Sequence, residues 1–210
     1  MDERFIITIG RQLGSGGRLI GEKLATRLGI SFYDKELILI ASQESGLGKE
    51  FFEQVDEKTS YSLIGGIFGA IGPLGDGNYS SNYLSGETLF KIQSDVIREL
   101  AAKQSAVFVG RCADYILKDN PRCLNIFISA DIADRIKRIA EIQQVPEKKA
   151  RDIVEKTDKK RAGYYNYYSN KVWGAAASYH LCVNSSVLGI DNTVSLIHQF
   201  VKQRFGLKGE

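Results

Sequence analysis

Phe5-Ile-Ile-Thr-Ile-Gly10-Arg-Gln-Leu-Gly-Ser-Gly-Gly-Arg18 is followed directly by Leu19-Ile-Gly-Glu-Lys-Leu-Ala-Thr-Arg-Leu28. The first five residues are apolar almost without interruption, as in a strand covered on both faces of a parallel sheet. Beyond the loop, Ile20, Leu24 and Leu28 recur every four residues and give a helix one apolar face. Between strand and helix, glycines let the backbone curl until successive N–H groups converge. The helix adds its unpaired first-turn N–H groups and the positive end of its dipole. The pattern predicts a phosphate or nucleotide site at Gly14, Ser15, Gly16, Gly17 and Arg18. The competing reading is a glycine turn that merely joins strand to helix.

The loop departs from the strict nucleotide-binding consensus G-x-x-x-x-G-K-[ST], in which Lys reaches the β- and γ-phosphates and the hydroxyl helps to hold Mg²⁺. With Gly14-Ser15-Gly16 on its last turn, Gly17 falls on the Lys and Arg18 on the Ser or Thr. Arg18 or Arg11 is left to supply the charge, although a guanidinium fork differs in geometry from an ammonium. The dinucleotide fingerprint G-x-G-x-x-G fits less well, because Leu19 stands at its third glycine; Asp34 does lie where a ribose-binding acid would.

Four more short apolar runs, Ile30–Tyr33, Ala106–Val109, Leu124–Ile128 and Tyr179–Val183, are separated by stretches that mostly read as helices. Strands alternating with helices specify a parallel α/β sheet, whose ligands bind beyond the carboxyl ends of the strands. Asp34, Gly110-Arg111, Ser129–Asp131 and Asn184-Ser185-Ser186 therefore join the Gly10–Arg18 loop as candidates. An arginine in the place of Arg111 suits bidentate capture of an acceptor phosphate. A structural ion pair is the plainer alternative.

Residues 146–161, PEKKARDIVEKTDKKR, hold seven Lys or Arg, among them Arg151, Lys159 and Arg161, interleaved with four acids. Read alone, this is a solvated helix face laced with weak ion pairs. Beside a phosphate cradle it also reads as a basic flap, since phosphoryl transfer needs cations around three equatorial oxygens. Residues 61–86 are dense in glycine, serine and tyrosine. Their apolar centre is too short and too interrupted to span a bilayer, so the segment is either a functional lid or a loose connection. Tyr79 and Tyr83 are spaced either to stack on a base or to pack within the protein.

The chain's 210 residues suffice for a single domain, and its net charge of +3 is too small to argue for nucleic acid. Cys112, Cys123 and Cys182 form no C-x-x-C pair, and His180 and His198 have no ligand spacing, so neither disulfides nor a metal centre is expected. Reduced thiols and a start with no export signal read as cytoplasmic. No membrane partner is expected, and the pattern is compatible with an oligomer.

Together, ITIGRQLGSGGRLIGEKLATRLGISFYDKELI, FVGRCADYIL, the stretch ending in Asp158-Lys-Lys-Arg161 and the tail VNSSVLGIDNTVSLI resemble the cytidylate kinase-like proteins, relatives of the nucleoside monophosphate kinases. The resemblance covers almost the whole chain. It implies a three-layer P-loop kinase fold with a five-stranded parallel sheet, an acceptor-binding lobe at about 35–105 and a basic lid at about 144–170. By the same resemblance Gly14–Arg18 would embrace the donor phosphates, Ser185 and Ser186 would border the adenine, and Asp34 and Arg111 would serve the acceptor. Arg151, Lys159 and Arg161 would belong to the lid, with Arg18, Arg111 and Arg161 acting on the transferred group. ATP, Mg²⁺ and a small nucleotide or phosphate acceptor are the implied ligands. Where the family has a Gly-Arg-Asp step, this chain reads Gly110-Arg111-Cys112, with the nearest acid at Asp114. Two classes remain open: an ATP-dependent phosphotransferase, and a nucleotide-binding regulatory module with a degenerate loop.

Overall fold

The computed structural model describes residues 4–34, 38, 40, 46 and 79–207. Five strands, β1 (Ile6–Arg11), β2 (Ser31–Tyr33), β3 (Ala106–Val109), β4 (Cys123–Ser129) and β5 (Leu181–Asn184), form one parallel sheet in the order β2-β3-β1-β4-β5. The central strand β1 alternates between two apolar layers. Ile7 and Ile9 pack under α1 (Gly17–Leu28) and α6 (Ser185–Phe205). Ile6 turns the other way, with Phe108, into the layer that holds α2 (Tyr79–Lys103) and α3 (Ala113–Ile116). Burial on both faces is why β1, β3 and β4 read as continuous apolar runs rather than alternating ones.

β1 extends two residues past the apolar run, because Gly10 and Arg11 continue the ladder opposite Phe127 and Ile128 of β4. Arg11 is thus the last residue of a strand and not part of a loop, which fixes the direction in which its side chain leaves the sheet. A third, smaller core joins α4 (Ile132–Gln143) to α5 (Glu147–Ser169) through Ile136, Ile139, Ala150 and Val154. α5 carries the basic stretch. Most of the segment expected as an acceptor lobe, including the glycine-rich residues 61–78, lies outside the described residues. Tyr79 and Tyr83 fall in the first turns of α2, and their side chains also lie outside.

Among the described residues no helix is long and apolar enough to cross a membrane. The three cysteines are free thiols, Cys112 and Cys123 buried and Cys182 exposed.

Candidate functional site

The loop between β1 and α1 is closed by a left-handed Gly16 (φ 76°) that caps the helix without a side chain. Only glycine suits it, since a Cβ there would also run into Ile190 of α6. Ser15 turns inward: its Oγ donates to the Gln12 carbonyl at 2.9 Å and accepts from the Gly17 N–H at 3.3 Å. Ser185, 2% exposed, braces the loop from below, its Oγ 2.7 Å from the Ser15 carbonyl and 3.1 Å from the Ser129 carbonyl. Its neighbour Ser186 accepts the Asp131 N–H at 2.9 Å.

The outer side of the loop is held by helices α4 and α5. The Leu13 N–H donates to Asp158 Oδ1 at 2.8 Å, Arg135 Nε donates to the Leu13 carbonyl at 2.8 Å, and Arg135 Nη2 pairs with Asp158 Oδ2. One residue's donor and acceptor are therefore gripped by a single Arg–Asp pair. Arg138 Nη1 adds a bond to the Gly14 carbonyl. None of these three side chains was singled out for this role by the sequence, because a clamp between residues more than a hundred positions apart leaves no local pattern.

Arg18, expected in the donor site, points along α1 instead. Its Nε donates to the buried Asp34 carboxylate at 2.7 Å and its Nη1 to Glu22 at 3.0 Å. The structure thus brings a donor-site candidate and an acceptor-site candidate together as an ion pair. Arg151 pairs weakly with Glu155 at 3.9 Å, and it and Lys159 face solvent. That part of the stretch behaves as the solvated helix face, where such pairs contribute at most about 1 kcal/mol.

Arg161 is different. It enters a cavity at the carboxyl ends of β1 and β3 that Arg11 and Arg111 also line, and its Nη1 donates to the Arg11 carbonyl at 3.0 Å. Burial lowers the Arg11 pKa well below its ordinary value, and the Arg161 and Arg111 cations push it the same way, against Asp34 and Asp158. Burial also lowers Arg161, with Asp158 opposing and Arg135 and Arg111 reinforcing. A guanidinium keeps its proton in a protein, so these directions express buried, like-charged crowding and not deprotonation.

Arg111 is aimed by its backbone. Gly110, Arg111 and Cys112 are successively left-handed, with φ of 82°, 58° and 54°. Two non-glycine residues in that region cost about 1–2 kcal/mol each, so the turn stores strain where the strand gives way to α3. Gly110 leaves room for the Arg11 guanidinium, which a Cβ there would strike. The Arg111 guanidinium lies 5.6 Å above the Tyr164 ring. Behind it, Tyr165 donates to Asp114 at 2.7 Å. Burial raises the Asp114 pKa, with the Tyr165 hydrogen bond and the Lys171 charge opposing. Tyr179 is pushed up to about 12 mainly by burial, with Asp114 acting the same way and Gly174 and Tyr165 opposing.

Arg11 also accounts for the irregular loop. With Gly16 as the second glycine of G-x-x-x-x-G-K-[ST], position 11 is the first glycine, and here it is arginine. A Cβ on Gly17 would lie 2.5 Å from Arg11 Cβ and 3.3 Å from Ile128 Cβ. The consensus places a small residue at the strand end and a cation at the helix start; this chain exchanges the two. That exchange was visible in the sequence once both departures were set side by side.

The sequence profile of the cytidylate kinase-like family matches residues 6–187. The chain belongs to that family. A crystal structure of an uncharacterised protein from Eubacterium ventriosum is 30% identical, with a TM-score of 0.72 over 96% of this chain and 100% of that one. Shikimate kinase from Bacteroides thetaiotaomicron (15% identity, TM-score 0.53, covering 97% of this chain and 99% of that one) shares the fold. So does a gluconokinase from Sinorhizobium meliloti (13%, 0.51, 97% and 95%). No curated protein matches. A cytidylate kinase-like chain with this three-layer α/β architecture is of the phosphotransferase type. Its acceptor is not fixed by family or fold.

Proposed function

We propose that this protein transfers the γ-phosphoryl group of ATP to a small phosphate-bearing acceptor, with nucleoside monophosphates, cytidylate among them, as the first class to test. The observation that carries the proposal is the convergence of Arg11, Arg111 and Arg161 in one cavity beside the glycine loop, where Arg161 and Arg111 act against the charge of Arg11 and Arg111 against that of Arg161. Such a cluster is costly without an anion and favourable with one. The loop's place supports donor-phosphate binding, since it delivers the chain to the unpaired first-turn N–H groups and positive dipole end of α1; the space beside Gly16 and Gly17 is taken by Ile190 and Arg11.

Mg²⁺ would be held chiefly by phosphate oxygens and water. Among the described residues no three His, Cys, Asp or Glu gather as a ligand set, and Arg18 stands where a coordinating hydroxyl would. When bound, the ion neutralises charge on the donor phosphates.

The chain's own residues divide the work. Arg11 takes the part of the absent lysine, reaching the phosphates from the end of β1. Arg111, strained into place and backed by Tyr164, grips the acceptor phosphate with a planar fork. Arg161 shares the cavity with both and is held by the Arg11 carbonyl, so in this reading it stabilises the charge that spreads to the equatorial oxygens during transfer, where an arginine is worth about 10³–10⁵ in rate. Replacing Arg161 by Ala should then lower kcat/KM far more than nucleotide affinity, while Arg111→Ala should also raise the acceptor KM. Thermal-shift and calorimetric panels of nucleoside mono-, di- and triphosphates with Mg²⁺ come first, followed by a transfer screen. Equal, small effects of both variants in an active enzyme would refute the assignment. Clear nucleotide binding without transfer to any acceptor would favour a regulatory binding module, a reading that Gly17 in place of lysine supports.

A further inference from the structure

A second cavity lies on the α3 face of the sheet, with the turn before β4 as one of its walls. At about 310 Å³, against about 50 Å³ for the arginine cavity, it reaches the lower end of the ~300–1,000 Å³ of small-molecule sites. Its wall carries Lys118, Lys171, Arg204 and His180, and its one acid is Asp114. Three of these groups are held in place. Lys118 Nζ sits 4.8 Å above the Tyr115 ring, the Arg204 guanidinium 5.6 Å from the Phe205 ring, and His180 Nδ1 accepts the Asn125 N–H at 2.9 Å, which leaves Nε2–H as the donor that this ring can offer.

The floor is polar too. Asn125 is 9% exposed, and its carbonyl is already engaged by the Thr8 hydroxyl at 2.8 Å and the Cys123 thiol at 3.3 Å. Its Nδ2 amide is left for the cavity that Asn125 lines. Three cations, an imidazole donor and a nearly buried amide donor face this cavity, beside Leu117, Pro121 and the one carboxylate of Asp114.

We propose that this cavity is a second anion site, separate from the arginine cavity, that takes a small oxyanion of two or more charges, either a phosphate or a polycarboxylate. Asp114 lines both cavities and Lys171 is a cation of the second, so an anion that engages Lys171 alters the charge balance around the carboxylate to which Tyr165 of α5 donates. Occupancy of the second site is thereby linked to the position of α5. By reciprocity, a ligand in the first cavity changes affinity at the second.

The chain has two histidines, so the ring signals of His180 can be followed by NMR at fixed pH and ionic strength, with His198 as internal control. Inorganic phosphate and citrate are the two probes, and sodium chloride is the blank. A saturable shift of His180 with one or both probes is expected, and it tells a phosphate from a carboxylate ligand. The doubly substituted K118A/R204A protein, whose changes fall on exposed residues, should bind at least about tenfold more weakly, while R111A should keep a saturable His180 response, its affinity altered only by the coupling between the two cavities. A melting temperature within a few degrees of the parent protein shows that the variants are folded. Absence of any saturable His180 shift, or a shift that K118A/R204A leaves intact, overturns the proposal. None of these outcomes depends on transfer at the arginine cavity.

Discussion

Returning the lysine to position 17 gives the sharpest test of the exchange between Arg11 and Gly17. Gly17 is the first residue of α1 and lies outside the left-handed region, so its backbone accepts a side chain. The obstacle is space: the new Cβ meets Arg11 Cβ at 2.5 Å and Ile128 Cβ at 3.3 Å. Overpacking of this kind costs about 1–3 kcal/mol, and at roughly 2–4 °C per kcal/mol for a chain of this size Gly17→Lys should lower Tm by several degrees. Arg11→Gly alone should change stability by about 1 kcal/mol or less, because the loss from glycine in a strand is offset by relief of repulsion from Arg111 and Arg161. It also spares the Arg161 bond, which goes to the backbone carbonyl of residue 11. Combining the two should recover most of what Gly17→Lys lost, a coupling of about 1–2 kcal/mol in a double-mutant cycle. Calorimetric titration supplies the second readout. Arg11→Gly should weaken ATP binding by about tenfold or more, as expected of a lost charged hydrogen bond, and the double variant should regain part of it. The reasoning fails if Gly17→Lys melts with the parent protein, or if its loss persists unchanged beside Arg11→Gly.

Asp158→Ala should destabilise the fold by about 2–3 kcal/mol, near the lower edge for a broken buried pair, and speed hydrogen exchange at the Leu13 amide, which mass spectrometry of peptides over the loop would detect. Asp114→Asn should change stability in a pH-dependent way. Burial raises the folded-state pKa of Asp114, so the native state binds the proton more tightly and the carboxylate costs stability once pH rises through that raised value. The melting difference between variant and parent should then move in the variant's favour from pH 4.5 to pH 8, and a flat difference would refute the assignment. Native-state titration with a thiol reagent should show one accessible group, Cys182, ahead of Cys112 and Cys123, which are buried and whose pKa values burial raises, Cys123 to about 12.

The middle of the sheet was legible because β1, β3 and β4 are buried on both faces. Ile6–Ile9, Ala106–Val109 and Leu124–Ile128 carry a signal that needs no partner to be recognised. The glycine loop was legible for a local reason as well, since a left-handed Gly16 at a helix start is a property of consecutive residues. Arg161 and Arg111 could be named from their position after a strand or within a motif. What sequence did not reveal was allegiance. On paper Arg18, at the helix start, is the first candidate and Arg11 the alternative, and only the third dimension pairs Arg18 with Asp34 and brings Arg11 to the cavity. Arg135, Arg138 and Asp158 were hidden among charges that look like a solvated face, because their partners are main-chain atoms of a distant loop and backbone carbonyls have no residue type to read.

The grip on Leu13 ties the shape of the glycine loop to the placement of α5. Asp158 and Arg161 are three residues apart on one face of that helix, and both hold main-chain atoms of the same short segment. Swinging α5 outward must break both bonds at once and strip Arg135, whose side chain is 7% exposed, of its carboxylate. With a cost of several kcal/mol, the swung-out form is a minor species, on the order of a percent or less of the population. Ligands whose entry needs that form would arrive at a rate set by the frequency of opening and not by diffusion, so association should become independent of ligand concentration once the concentration is high enough.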